Sequence, residues 1–168
     1  MPMIGVLGKV EVVARDAGTG RVVKKVVARN TVTNALIAEL IKAVQSGKNN
    51  FLFTAVRDET RYEFRRYWYL ALGTGTGTPA RVDTALFAEV PTTRKAGSVY
   101  LPAYNQLQYY VRYMPEEANG YTYTELGVFE NTNSDLTGGT LFNHLLISPP
   151  LSKTPDILVD FYVTITFG

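Results

Sequence analysis

The sequence predicts a mainly β protein, an antiparallel β-sandwich or flattened barrel with one short α-helix at about residues 33–46. Three observations lead there. Apolar and polar residues alternate with a period of two over several runs, most strictly at the C-terminal end. Aromatic residues make up 12% of the chain and include 11 Tyr, a ring type that favours pleated strands and half-wet contact surfaces. Clusters of Gly, Asn, Asp and Pro punctuate the runs at short intervals, as the turns of an antiparallel fold require.

The elements follow in order. Lys9 to Arg15 alternates charged and apolar residues, meets the turn cluster Asp16-Ala17-Gly18-Thr19-Gly20 and returns through the Val-rich Arg21 to Ala28. Residues 9–29 therefore read as a β-hairpin. Leu36, Ile37, Leu40, Ile41 and Val44 then form one helical stripe, with Thr33 or Asn34 as N-cap and Gly47 at the left-handed position past the end. Residues 48–66 are irregular. Tyr67 to Leu72 is strand-like and stops at the Gly-Thr repeat 73–78 and Pro79, a loop; Asp83 to Val90 fits either a helical turn or a strand.

Leu107, Tyr109, Val111 and Tyr113 alternate with Gln106, Gln108, Tyr110 and Arg112. Tyr121 to Phe129 alternates again, and the intervening Pro115 to Gly120 contains Asn-Gly, so these two runs are expected to pair as a hairpin. Thr140 to Ser148 is a strand stopped by Pro149-Pro150. The final strand points Ile157, Val159, Phe161, Val163, Ile165 and Phe167 inward and Leu158, Asp160, Tyr162, Thr164 and Thr166 outward. Seven or so strands are the expected total.

A chain of 168 residues, 46% hydrophobic, buries a sufficient core as a single domain, residues 1–168. With no Cys there is no disulfide, thiolate zinc site, iron–sulfur cluster or cysteine nucleophile, and a single His excludes a multi-His metal site within one chain. No cofactor is expected. The formal charge of +2 is too small to imply a nucleic-acid partner, and no window approaches the roughly 18 apolar residues of a membrane span. The start has no basic segment followed by an apolar one, so the expectation is a soluble, unsecreted chain.

Few residues invite a chemical role. The Gly-Thr repeat could expose backbone N–H groups to an anion, but Thr78 stands where a dinucleotide fingerprint needs its third glycine and no Gly-Lys-Ser/Thr follows. His144 lies in a Leu/Phe-rich strand, where a structural partner is commoner than a catalytic one. Glu116 and Glu117 are adjacent and point apart in an extended chain, so acid–base work would need a third carboxylate such as Glu125, Glu130 or Asp135. Arg57, Arg61, Tyr62, Phe64, Arg65, Arg66, Tyr67 and Trp68 interleave cations with rings. Asp58, Glu59 and Glu63 offset most of that charge, which favours a protein–protein contact over single-stranded nucleic acid.

The order of short motifs adds a resemblance. It runs through Asn30-Thr31-Val32-Thr33-Asn34, Leu70 to Gly75, Asp83 to Leu86 with Glu89, Glu116 to Gly120, and Thr124 to Phe129. It continues with Gly139-Thr140-Leu141, Ser148-Pro149-Pro150, Ser152-Lys153-Thr154 and Val163 to Phe167. Over about residues 28–168 this resembles a family of small structural proteins of tailed bacteriophages, of tail-fibre, tail-appendage or head-decoration type. The resemblance implies a virion component made in the host cytoplasm, partnered by copies of itself and by major capsid, neck or tail proteins, with no catalytic residues. The hairpin 9–29 and the insertion 48–66 look longer than the family's usual form and are candidate contact elements. One alternative is a carbohydrate- or receptor-binding module at a fibre tip, using Tyr100, Tyr104, Tyr110, Tyr121 or Tyr123. A second is a polysaccharide-degrading enzyme using Glu117 or Glu125.

Overall fold

A computed structural model describes residues 5–38, 67–131 and 136–168 of the chain. Its strands are β1 (Val6–Asp16), β2 (Val22–Val32), β3 (Tyr67–Gly73), β4 (Lys95–Ala96), β5 (Ser98–Ala103), β6 (Gln106–Tyr113), β7 (Thr122–Asn131), β8 (Thr140–Ser152) and β9 (Ile157–Phe167). They form one antiparallel sheet in the order β4-β3-β7-β8-β2-β1-β9-β6-β5, curled into a nearly closed barrel.

Two strands turn the corners. β2 pairs with β1 along residues 22–30, then with β8 through Thr31 and Val32. At the opposite corner β4 pairs with β3 and β5 with β6, separated by Gly97 alone. A strand that changes sheets needs a bend or bulge, and only a residue without a side chain fits here. A Cβ on Gly97 would lie 2.2 Å from the Tyr110 carbonyl oxygen and 2.5 Å from a Val111 methyl.

The barrel is flattened into two facing walls, β2-β1-β9-β6-β5 and β3-β7-β8. Between them lies one cluster built from the inward positions Val10, Val12, Leu70, Leu72, Val111, Leu126, Val128, Phe161 and Val163 among others. Rings tie the walls together: Tyr109 donates its hydroxyl to the Trp68 carbonyl at 2.7 Å, and Tyr113 donates to Thr93 O at 2.6 Å. Buried Tyr belongs where its hydroxyl reaches a partner, and both do.

The hairpin predicted at 9–29 is β1–β2, and Asp16 shapes its turn by accepting from the Gly18 and Thr19 N–H groups and the Thr19 hydroxyl. It is no appendage, because β1 also pairs with β9 from Val6↔Phe167 to Asp16↔Ile157. A helix begins at Asn34, and Leu36 is fully buried in the core. Thr33 precedes it, with a hydroxyl that donates to Leu141 O at 2.6 Å instead of capping the first turn. The remainder of the predicted helix and the insertion 48–66 lie outside the described residues.

Three expectations are corrected. β6 and β7 are not hairpin partners: β6 pairs with β5 and β9, β7 with β3 and β8, and Pro115 to Gly120 crosses between walls. The two runs each carry an inward apolar face, so facing each other across the core buries both. Second, Pro149-Pro150 does not end β8, which continues to Ser152; the register with β7 slips between Tyr123 and Glu125, placing the prolines where no ladder N–H is required. The same slip turns Tyr123 into the core. Third, the described residues form nine strands rather than about seven: β4 and β5 carry no strand signal, because the Lys95 to Ala103 stretch is interrupted by Gly97 and Pro102.

Candidate functional site

The outer surface of the β3-β7-β8 wall is covered by residues 74–90, and there the ionisable groups converge. In the β7–β8 ladder Gly127 is opposite His144, and Glu125 is one step along on the same face, so β-pleating places both under the covering loop. His144 Nε2 lies 2.9 Å from Glu125 Oε2 and Nδ1 lies 2.7 Å from Asp83 Oδ2, while the Phe87 ring packs on the imidazole at 4.6 Å. His144 and Glu125 are both completely buried.

Glu125 is the centre of the arrangement. Its Oε1 accepts from the N–H groups of Gly75 at 3.0 Å and Ala88 at 2.7 Å, and its Oε2 accepts from Phe87 N–H at 3.0 Å. Burial pushes the Glu125 carboxyl upward, but these three donors and His144 outweigh it and hold the group below its ordinary value. Asp83 follows the same balance: burial raises it, whereas the Ala80 N–H and His144 bring it down on net. Both Glu125 oxygens are thus engaged by backbone donors of the covering loop.

This explains the Gly-Thr repeat. A Cβ at Gly73 or Gly75 would come within 2.5 Å of Glu125 Oε1, and one at Gly77 within 2.8 Å of the Phe87 ring. The loop does cradle an anion through its backbone amides, and the anion is the chain's own glutamate. What the sequence does not display is the pairing of His144 with two acids 19 and 61 positions away. A second cluster lies alongside: Tyr69 and Phe129 stack at 5.3 Å, and the Arg94 guanidinium sits 5.2 Å from the Tyr69 ring while engaging both Glu89 oxygens.

Two further sites use charge in the same manner. Asp160 is fully buried on the outward side of β9, accepting from Arg112 Nε at 2.7 Å, Arg112 Nη2 at 3.0 Å and the Tyr110 hydroxyl at 2.8 Å, with Arg15 Nε at 3.5 Å. Burial opposes its ionisation, but Arg112, Tyr110 and Arg15 together keep the carboxyl below its ordinary value. Lys153, also buried, donates to Pro115 O, Asn119 Oδ1 and Thr154 O at 3.2, 2.9 and 3.0 Å, clamping the cross-wall connection. Burial lowers the Lys153 ammonium, partly offset by Glu116 and Glu117.

Of the residues singled out for partner contact, Arg57, Arg61, Tyr62, Phe64, Arg65 and Arg66 lie outside the described residues. Tyr67 opens β3. Trp68 is in the core, 6% exposed, with its indole at 5.2 Å from the Phe142 ring and 6.2 Å from Tyr109, so its ring is spent on packing and is unavailable to a partner. Among the tyrosines considered for sugar stacking, Tyr100, Tyr104 and Tyr121 are exposed and Tyr123 is buried. Glu117 pairs with Lys95 and accepts from Met114 N–H; Glu125 is sealed, so these two carboxylates share no cleft.

Among the described residues no cluster of His, Cys, Asp and Glu forms a metal site, and no helix is long and apolar enough to cross a membrane. Comparison with protein-family models, curated proteins and solved structures yields no match.

Proposed function

We propose that this chain is a non-enzymatic structural component of a tailed-phage particle that acts through protein–protein assembly, as a capsid decoration or cement, neck or tail-appendage subunit. One observation carries the reading: the residues that make up the motif order also fasten the fold. Gly75, Asp83 and Glu125 meet at His144; Asn119, Lys153 and Thr154 meet at the cross-wall connection; Thr33 bonds Leu141. A pattern made of fold-fixing residues belongs to a scaffold whose surface is free to vary. The buried Glu125, His144, Asp160 and Lys153 are each committed to bonds inside the fold, a use of charge that supports a mechanical role.

Exposed rings and aliphatic side chains provide contact material. Leu7, Val23 and Val27 lie along β1 and β2, Phe87 on the covering loop, and Tyr104 at the β5–β6 turn. Identical copies offering such patches assemble into closed symmetric rings or clusters. The test is co-sedimentation of the purified chain with phage heads and with tails. Saturable binding to one of them is the expected result. Glycan hydrolysis that disappears in Glu117→Gln would overturn the proposal.

A further inference from the structure

The outward face of the β1-β9-β6 ribbon carries a shallow depression of about 200 Å³ lined by Lys9, Glu11, Gln108, Tyr162 and Thr164. Register places these side chains in two adjoining rows: Lys9, Thr164 and Gln108 in one, Glu11, Tyr162 and Tyr110 in the next. All five lining residues come from the middle of three paired strands, a rigid platform of the kind that holds a site's geometry better than loops do.

Three features define what the depression would take. The Tyr162 ring leans against Tyr110 at 5.0 Å and 32°, and Tyr110 is in turn locked by its hydroxyl bond to Asp160. The ring is therefore preset as an apolar floor. Gln108 Nε2 donates to Thr164 Oγ1 at 3.2 Å, which leaves the Gln108 carbonyl as an acceptor and the Thr164 O–H as a donor. Glu11, bonded to Lys25 at 2.9 Å, offers its remaining lone pairs. Lys9 is exposed and has no ion-pair partner among the described residues, and Arg29, equally unpaired, stands opposite it on β2.

We propose that this depression binds one unit of an acidic polysaccharide, a hexuronate. The C–H face of a pyranose ring packs on Tyr162, its hydroxyls exchange hydrogen bonds with Glu11, Gln108 and Thr164, and its carboxylate meets Lys9. A neutral sugar leaves Lys9 without a counter-charge. A phosphodiester strand needs a track of cations and successive rings, and the lining of this depression offers one cation, Lys9, and one ring, Tyr162. The volume, below the roughly 300–1,000 Å³ of drug-sized sites, fits a single ring.

Amide chemical-shift titration of the full chain with trigalacturonate, with maltotriose and oligo-dT as comparators, tests this. Trigalacturonate is expected to give saturable shifts confined to β1, β6 and β9. Lys9→Gln, a change at an exposed position, should weaken it about tenfold or more, the loss of one charge-assisted contact, while leaving maltotriose unaffected. Tyr162→Ala should abolish binding of both sugars, with the rest of the spectrum unchanged. The absence of saturable shifts would overturn the proposal. So would equal shifts with oligo-dT, or undiminished affinity in Lys9→Gln. The assembly proposal does not depend on this site and is read separately by co-sedimentation.

Discussion

Replacing Glu125 with Gln preserves shape and removes only charge and one acceptor, which makes it a sharp probe of how the loop 74–90 is held. In the native arrangement two carboxylate oxygens receive three backbone N–H bonds and face His144. The amide oxygen can keep the Gly75 and Ala88 donors. Its –NH2 must then point at Phe87 N–H, a donor against a donor, and a buried amide left unsatisfied costs about 1–3 kcal/mol. The carboxylate contact with the buried imidazole at 2.9 Å changes as well, and removing the charge from a fully buried, multiply bonded carboxylate typically costs about 3–5 kcal/mol in total. For a domain of this size that lowers Tm by roughly 6–20 °C. Urea and thermal unfolding at neutral pH measure it, and a loss under about 1 kcal/mol would refute the role assigned to Glu125. The pH dependence has a fixed sign. Glu125 and Asp83 lie below their ordinary values of 4.5 and 3.8 when folded, so their stabilisation is complete above those values and is lost as pH falls through the folded ones. The wild type should therefore lose Tm steeply in that acid range, and Glu125→Gln should lose it less steeply.

Gly97→Ala drives a Cβ into the Tyr110 carbonyl oxygen at the corner between β4 and β5 and should destabilise by about 1–3 kcal/mol or more, whereas Gly18→Ala, which meets only Asp16 Oδ1 at 3.6 Å, should be tolerated; paired urea melts compare them. Lys153→Met strands three oxygen acceptors at the cross-wall connection and should cost about 2–4 kcal/mol, with limited proteolysis appearing between Met114 and Gly120. Asp160→Asn leaves Arg112 and Arg15 facing an amide, but both arginines are partly hydrated, so the expected loss is only about 1–3 kcal/mol by thermal unfolding.

Much of the fold is legible from residues alone, and the reasons are local. The hairpin at 9–29 is written in the charged/apolar alternation of Lys9 to Arg15, an Asp-Ala-Gly-Thr-Gly turn and a Val-rich return, and β9 in a period of two that places Val159, Phe161, Val163 and Ile165 in the core. What sequence reading misplaces depends on long-range pairing. Alternation identifies β6 and β7 as strands but does not say that each pairs elsewhere, since Asn119-Gly120 is as compatible with a crossing connection as with a tight hairpin. Trp68 carries the residue type of an interface anchor, yet Trp serves equally as core filler, and burial decides between them. The His144 cluster is legible only in part: a solitary imidazole in an apolar strand implies a polar partner, whereas the Gly-Thr repeat lacks both nucleotide signatures and reads as a plain inter-strand loop. Joining them required β7 and β8 to be neighbours, which no local signal encodes.

Sedimentation equilibrium of the purified chain over a wide concentration range addresses assembly most directly. A discrete closed oligomer, an integer multiple of 18.6 kDa that persists on dilution, is the predicted outcome. A species of 18.6 kDa at every concentration, which also fails to bind heads and tails, would contradict it.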